Sequence, residues 1–175
     1  MKKYADMENS NKHWHPLYTK PRQEFKAEQQ LSDLGLELYL PKITRLKQWS
    51  DRKKKVTEPL FNGYIFVYGD EKDRLSALQQ NAIIRSLTFN GKPAYVHEWE
   101  IENLKKMLAE NRDVTIQNTL KAGTKVRVVQ GPFKDVEGIV SYTPNNEREL
   151  AVVIDLLKRS VVVYLPPECV VKKID

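Results

Sequence analysis

The densest cluster of chemically similar side chains in the sequence is a group of basic residues between Lys42 and Glu58. This stretch holds seven basic residues against two acidic ones, whereas the whole chain of 175 residues has a net charge of +6. It also contains Trp49. Lysine and arginine pair with phosphates and an aromatic ring stacks on bases, so the stretch favours contact with nucleic acid. A charged edge that merely discourages sheet-to-sheet pairing fits the composition equally well. The basic residues are Lys42, Arg45, Lys47, Arg52, Lys53, Lys54 and Lys55.

Residues that could support catalysis or bind a metal are sparse. The histidines are His13, His15 and His97, and Cys169 is the single cysteine. His13 and His15 would share one face of a strand, but two ligands without a third are typical of surface residues. The sequence lacks the HExxH, GxxxxGK[ST] and GxSxG motifs. We therefore expect no catalytic residue, no metal site and no cofactor, and an inert buried thiol at Cys169.

Composition points to a folded, soluble and cytoplasmic protein. The apolar fraction of 41% and the charged fraction of 30% are those of globular chains. No apolar run approaches the roughly 18 residues that a spanning helix needs, and Met1 to Lys12 lacks the apolar core of a secretory signal. We expect a cytoplasmic monomer that makes no membrane contact.

The elements that must position these residues alternate between strand and helix up to residue 110. Residues 13–19 favour a strand, and Pro21 suits the first turn of a helix with an apolar face at Ala27, Leu31 and Leu34. Turn residues at 49–51 make the basic stretch a predicted hairpin. Further strands are predicted at 63–68 and 83–89, and further helices at 71–80 and 98–110.

After residue 110 the pattern changes. Residues 111–120 are mostly polar and are predicted to be a linker. Short strands separated by turns follow, which favours a small five-stranded barrel. The predicted strands are 125–130, 136–142, 150–157, 161–165 and 169–174.

The segment from Glu58 to Val67 is unusually aromatic. Alternation places Tyr64 and Phe66 on one face of a strand and Ile65 and Val67 on the other, so both faces are apolar. Helices can cover one face and leave the other as an exposed aromatic pocket for a partner's helix. A strand buried on both sides is an equally good interpretation.

Taken together, these segments resemble the NusG family of transcription elongation factors. The resemblance rests on Trp14, on the segments 17–22, 39–41 and 58–67, and on the turn at 131–133 with Gly138 beyond it. The stretch Gln48-Trp49-Ser50-Asp51-Arg52-Lys53-Lys54 is similar to the specialised paralogues of the RfaH and UpxY kind. Asp135 departs from the pattern, since many KOW sequences carry a glycine there.

The resemblance implies an α+β fold in two domains. A NusG N-terminal α/β sandwich with an antiparallel sheet would span residues 13–110, a linker 111–120, and a KOW β-barrel 121–175. Some paralogues refold the KOW domain as a helical hairpin, but the β-branched runs after residue 125 favour the barrel.

The resemblance also implies an antitermination and elongation factor that binds RNA polymerase at the β′ clamp helices and possesses no enzymatic activity. Tyr18, Tyr64 and Phe66, with Leu87, stand at the positions of the clamp pocket, and a second patch on the next helix would reach the β subunit through Arg74, Leu75 and Ser76. The implied contacts with the non-template DNA strand are Lys20, Arg22 and Lys26, to which the hairpin adds Lys47, Trp49, Arg52, Lys53 and Lys54.

The KOW domain is expected to dock a protein, either a ribosomal protein or a termination factor. Residues 121–175 carry nine basic and seven acidic groups, too balanced for a barrel that binds RNA mainly by charge. The competing interpretation is a ribosome-associated or general RNA-binding KOW protein.

Overall fold

The computed structural model describes residues 11–175, and Met1 to Ser10, most of the polar segment on which the predicted localisation rests, lie outside the described residues. Across the described residues no helix is both long and apolar enough to cross a membrane. The chain divides into two units: one comprises the chain up to Lys42 with Pro59–His97, and the other comprises Ile43–Glu58 with Glu98–Asp175.

The elements follow the chain in this order. They are β1 (His13–Thr19), α1 (Glu24–Asp33), β2 (Glu37–Tyr39), β3 (Lys42–Gln48), β4 (Lys53–Pro59), β5 (Tyr64–Gly69), α2 (Glu71–Leu78), β6 (Ile83–Ser86), β7 (Thr88–Phe89), β8 (Lys92–Pro93), α3 (Glu98–Ala109), β9 (Val114–Gln117), β10 (Thr124–Gln130), β11 (Glu137–Tyr142), β12 (Arg148–Ile154), a 3₁₀ turn (Asp155–Leu157), β13 (Arg159–Tyr164) and β14 (Val170–Lys173).

The first unit is built on an antiparallel sheet with strand order β2-β5-β1-β6. Alternation sends Leu17, Ile65 and Val67 to one face, where they join the buried apolar residues of α1 and α2 in a single core. Burying these side chains is what holds both helices on that face. The residues of β1 and β5 with the opposite parity, including Tyr18 and Tyr64, are left for the other face.

Two predicted boundaries in the first unit differ from the structure. Helix α1 begins at Glu24 rather than at Pro21, because Arg22 has a left-handed φ of 60° that belongs to a turn. The predicted strand 83–89 is divided: β6 ends at Ser86, and the chain then forms the short β7–β8 hairpin around Gly91, whose φ is 74°.

The second unit contains an antiparallel sheet of six strands in the order β14-β10-β11-β12-β13-β9. Five strands were expected, and the sixth, β9, lies within the predicted linker. Its Val114 and Ile116 alternate with polar residues and pair with β13, where Val114 lies opposite Val163. An unpaired edge of β13 would expose a row of backbone donors and acceptors, so β9 protects it.

Helix α3 and the β3–β4 hairpin also belong to the second unit. The side chains of Glu100 and Asn103 are buried and accept the backbone N–H groups of Asp155 and Glu137, each at 2.9 Å. Arg45 of β3 donates to the carbonyl of Val114 at 3.0 Å. These long-range polar contacts group the elements differently from the predicted domains 13–110 and 121–175, which remain a prediction.

Asp135, which departs from the family pattern by replacing a glycine, lies in the tight turn between β10 and β11. Asp135 has a left-handed φ of 66°, a conformation that glycine adopts without steric cost and that aspartate tolerates better than most residues. The turn therefore keeps its geometry, with the Asp135 N–H donating to Val128 at 2.8 Å. The predicted fold class is confirmed: residues 11–175 contain three α-helices, antiparallel sheets and a β-rich C-terminal region.

Candidate functional site

Two tyrosines form the centre of the candidate site. Tyr18 of β1 and Tyr64 of β5 lie opposite each other in the antiparallel register. Their ring centroids are 4.6 Å apart, and the Tyr64 hydroxyl donates to the Tyr18 hydroxyl at 2.7 Å. Both side chains are half-buried, so part of each ring remains available to a partner. Aromatic rings of this kind bury a large area at a small cost in conformational entropy.

Arg85 completes this tyrosine cluster and was missed by the sequence analysis. It lies opposite Tyr18 in β6, and its guanidinium carbon is 4.7 Å from the Tyr18 ring centroid. A cation over a ring face contributes about 0.5–1 kcal/mol at an exposed site. The contact depends on the pairing of β1 with β6, which no local pattern encodes. The tyrosine cluster (Tyr18, Tyr64 and Arg85) thus offers two partly exposed tyrosines and one positive charge.

Phe66 does not lie at a surface in this structure. Its side chain is 0% exposed and packs edge to face against Phe61, with centroids 6.3 Å apart. Phe66 lies on the same face of β5 as Tyr64, but of these two predicted pocket residues only Tyr64 is partly exposed. Leu87 is half-buried just after β6, where its N–H donates to the carbonyl of Pro16 at 3.1 Å.

In the second predicted contact patch, on α2, Arg74 is largely buried, and the patch itself remains a prediction. This side chain is only 8% exposed, donates to Glu71 at 2.7 Å and to Ser86 at 2.7 Å, and so is already paired. The hydrogen bonds with Glu71 raise the pKa of Arg74 and lower the pKa of Glu71. Ser76 donates to the Lys72 carbonyl at 3.0 Å, which leaves Leu75 as the exposed member of the patch.

The predicted nucleic-acid contacts near α1 lie around its first turn. The Lys20 ammonium donates to Asn81 at 2.7 Å, whereas Arg22 and Lys26 are exposed. The left-handed turn at Arg22 sets that side chain before the helix rather than within it. Glu24 is buried and accepts the N–H of Gly63 at 2.8 Å, so its carboxylate is held by the fold.

The hairpin carries the remaining predicted contacts. Lys47 forms an ion pair with Glu58 at 2.6 Å, and the Lys54 ammonium is 5.7 Å from the Trp49 ring centroid. Arg52 lies 4.0 Å from Asp51, a pair so exposed that its energetic contribution is small. Lys53 is exposed. These residues therefore lie together on the two-stranded β3–β4 sheet. The tyrosine cluster belongs to a different sheet, the four-stranded one.

One buried histidine lies in the sheet that carries the tyrosine cluster. The Nε2 atom of His15 is 3.0 Å from the Gly69 carbonyl, while Nδ1 is buried and has no hydrogen-bond partner among the described residues. Burial, with a smaller contribution from the Arg74 charge, lowers the pKa of His15 below its ordinary value of 6.5. Across residues 11–175, His, Cys, Asp and Glu side chains form no group of three that could hold a metal ion.

We expect His15 to make folding stability depend on pH. Below pH 6.5 the unfolded chain takes up a proton that the folded chain resists, so the free energy of unfolding falls as pH drops through 6.5 and levels off below the folded pKa. Denaturant unfolding at a series of pH values measures this dependence. The variant His15→Gln should lose that part of the slope, and an unchanged slope would assign it to other groups. Asp70 and Glu71 have lowered pKa values, so their protonation changes the free energy of unfolding only at a more acidic pH than that of His15.

The chain matches a known family model and several characterised relatives. The model described as "Transcription termination factor nusG" matches residues 12–105. The chain is 26% identical over 147 residues to the transcription termination/antitermination protein NusG of Haemophilus influenzae, covering 81% of this chain and 79% of the relative. The same protein of Deinococcus radiodurans is 26% identical over 179 residues, covering 87% and 94%. A solved structure, "Domain interaction in Thermotoga maritima NusG", aligns with a TM-score of 0.48 and 21% identity over 94% of this chain and 98% of that chain.

Proposed function

Because the chain belongs to the NusG family, whose members are transcription factors that interact with RNA polymerase, we propose that it is a polymerase-bound elongation factor with antitermination activity. The observation that carries the proposal is the family match over residues 12–105, the segment that builds the sheet bearing the tyrosine cluster. Within the family, the proposal assigns this chain to the specialised RfaH and UpxY kind on the strength of the hairpin sequence.

The tyrosine cluster is the proposed binding site for the β′ clamp helices. A helix tip with apolar side chains would pack on the rings of Tyr18 and Tyr64, while Arg85 would face an acidic or carbonyl group of the partner. Leu87, half-buried like the tyrosines, would complete this surface, whereas Phe66 lies on the same face of β5 as Tyr64 but is fully buried. On α2, the exposed Leu75, with Ser76 beside it, is the proposed contact with the β subunit.

The basic residues are the proposed contacts with the non-template strand. Arg22 and Lys26 project from the start of α1, and Lys20 lies beside them. The hairpin residues Lys47, Trp49, Arg52, Lys53 and Lys54 form the second group. The KOW domain would dock a ribosomal protein or a termination factor, and the protein would act as a cytoplasmic monomer.

Binding energy alone can account for such an activity, so no catalytic residue is needed. A factor that binds the closed, elongating polymerase more tightly than the paused form shifts the equilibrium toward elongation. A tenfold preference corresponds to about 1.4 kcal/mol. This is within reach of one aromatic contact and a few charged ones.

Transcription by purified core polymerase through an intrinsic terminator tests the proposal. Adding the full chain should raise terminator read-through severalfold and shorten pauses, because the elongating state is stabilised. A buffer-only reaction and a reaction with the tyrosine variant described in the Discussion serve as controls. Unchanged read-through with no polymerase bound, together with retention on ribosomes or RNA, would instead support the RNA-binding alternative.

A further inference from the structure

Strand β6, at the edge of the four-stranded sheet, contains an irregularity in its pairing with β1. Tyr18 pairs with Arg85 and Thr19 pairs with Ile83, so Ile84 is an extra residue of β6 with no counterpart in β1. This is the arrangement of a β-bulge, in which two residues of one strand lie opposite one residue of the other. The regular alternation of faces along β6 is therefore interrupted at Ile84.

Burial shows which side chains the bulge moves. Ile83 belongs to the core beneath α1 and α2, and the buried Ser86 accepts a hydrogen bond of 2.7 Å from α2. These two residues are three positions apart, yet both lie on the helix-covered face, whereas regular alternation would place Arg85 on the same face as Ile83. Ile84 and Arg85 therefore both lie on the opposite face, which carries the tyrosine cluster.

The Ile84 side chain is 56% exposed beside the exposed Arg85. A bulge can protect an edge strand from unwanted pairing, but polar or charged side chains serve that purpose better than an isoleucine does. A single exposed apolar residue is ordinary on a protein surface. Ile84 differs because it continues the apolar surface of two partly exposed tyrosines, and continuous apolar surface is typical of a site that binds a partner.

The size of this surface matches one helix. Tyr64, Tyr18 and Arg85 lie in a single row across the adjacent strands β5, β1 and β6. Neighbouring strands are about 4.8 Å apart, so the row is about 10 Å wide, close to the diameter of a helix with its side chains. Ile84 lies beside Arg85 at the end of the row, where the same helix reaches it.

We propose that Ile84 is a further contact residue for the polymerase helix, held on the face of the tyrosine cluster by the bulge and packed against an aliphatic side chain of that helix. Arg85 then faces an acidic side chain about one turn away, since residues three or four apart share one face of a helix. Regular alternation would present only one of two adjacent residues, so the bulge is what places an apolar and a charged contact side by side. The inference rests on the proposed function for the identity of the partner.

Competition capture of purified core polymerase by the full chain tests this contact. Ile84→Ser should weaken binding about tenfold, because it removes apolar area that the partner helix would bury, whereas Ile84→Leu should retain most of the affinity. The matched control is Leu34→Ser, which alters a similarly exposed residue at the end of α1, on the helix-covered side of the sheet, and should bind like the unaltered protein. Unchanged affinity in Ile84→Ser, or an equal loss in Leu34→Ser, would overturn the assignment.

Alkylation of a thiol introduced at residue 84 reports the contact directly, and a purely structural role for Ile84 would not change it. In Ile84→Cys, bound polymerase should slow alkylation severalfold, whereas Leu34→Cys should react equally fast with and without polymerase. The native Cys169 is buried, and burial raises the pKa of its thiol, so it reacts slowly and contributes little to the early signal. An unprotected thiol at residue 84 in the captured complex would overturn this inference and leave the proposed function standing. Absence of capture by the unaltered chain would overturn both.

Discussion

Replacing Tyr18 and Tyr64 together by alanine is expected to reduce the affinity of the full chain for core RNA polymerase roughly 100-fold or more, on the scale of two aromatic residues at the centre of an interface. The substitution removes both rings of this contact and leaves Arg85 without the ring beneath it. Capture of the purified polymerase by immobilised protein, followed by competition with free protein, measures the loss.

Tyr18→Phe with Tyr64→Phe is the matched control for this experiment. It keeps both rings and removes the 2.7 Å hydrogen bond between the hydroxyl groups, so the affinity should fall by no more than severalfold. Binding of a single-stranded oligonucleotide should stay close to that of the unaltered protein in both variants, because the hairpin is a separate sheet. Full capture by the alanine variant would place the polymerase-binding surface elsewhere.

Phe66 is unsuitable for the same test, although strand alternation places it on the same face of β5 as Tyr64. Its side chain is fully buried, and truncation of a buried phenylalanine costs about 3–5 kcal/mol of folding free energy. Loss of capture by Phe66→Ala would therefore report unfolding as readily as loss of a contact. The tyrosines avoid this ambiguity because they are half-buried and lie at the end of their strands.

The tyrosine pair could be predicted from the sequence because strand alternation is a local property. Alternation separates Tyr64 and Phe66 from Ile65 and Val67, and the structure shows Ile65 and Val67 in the core with the helices. Alternation cannot say what covers the other face. Phe61, Arg85 and the buried Arg74 depend on pairings between segments far apart in the chain, so their environments were not predictable from spacing alone.

The linker shows the opposite case, in which a local signal was present but outweighed. Val114 and Ile116 alternate with Thr115 and Gln117, as in a half-buried strand. The polar residues on both sides favoured a linker. What makes the segment a strand is the exposed edge of β13 and the hydrogen bond from Arg45, both of which are tertiary.

Replacing Gly138 by alanine is expected to destabilise the C-terminal sheet by about 3 kcal/mol, the upper end of the usual cost of overpacking a close-packed interior. A Cβ atom at this position would lie 2.4 Å from the carbonyl oxygen of Ala151 and 3.0 Å from a Leu150 methyl carbon. The first neighbour is backbone, so it cannot rotate away, and strands β11 and β12 would have to separate where Ile139 pairs with Ala151. Amide hydrogen exchange in β11 and β12 measures this local loss directly.

Ser141→Ala, on the same strand, provides the control because the Ser141 hydroxyl is buried and has no hydrogen-bond partner among the described residues. Removing an unsatisfied polar atom should leave exchange unchanged or slow it. Equal exchange rates in the two variants would show that the sheet accommodates a methyl group at residue 138. The expected difference instead assigns the family's glycine a steric role at the β11–β12 pairing, independent of any partner. If Gly138→Ala still captures polymerase but no longer raises read-through, the C-terminal sheet contributes to a step that follows polymerase binding.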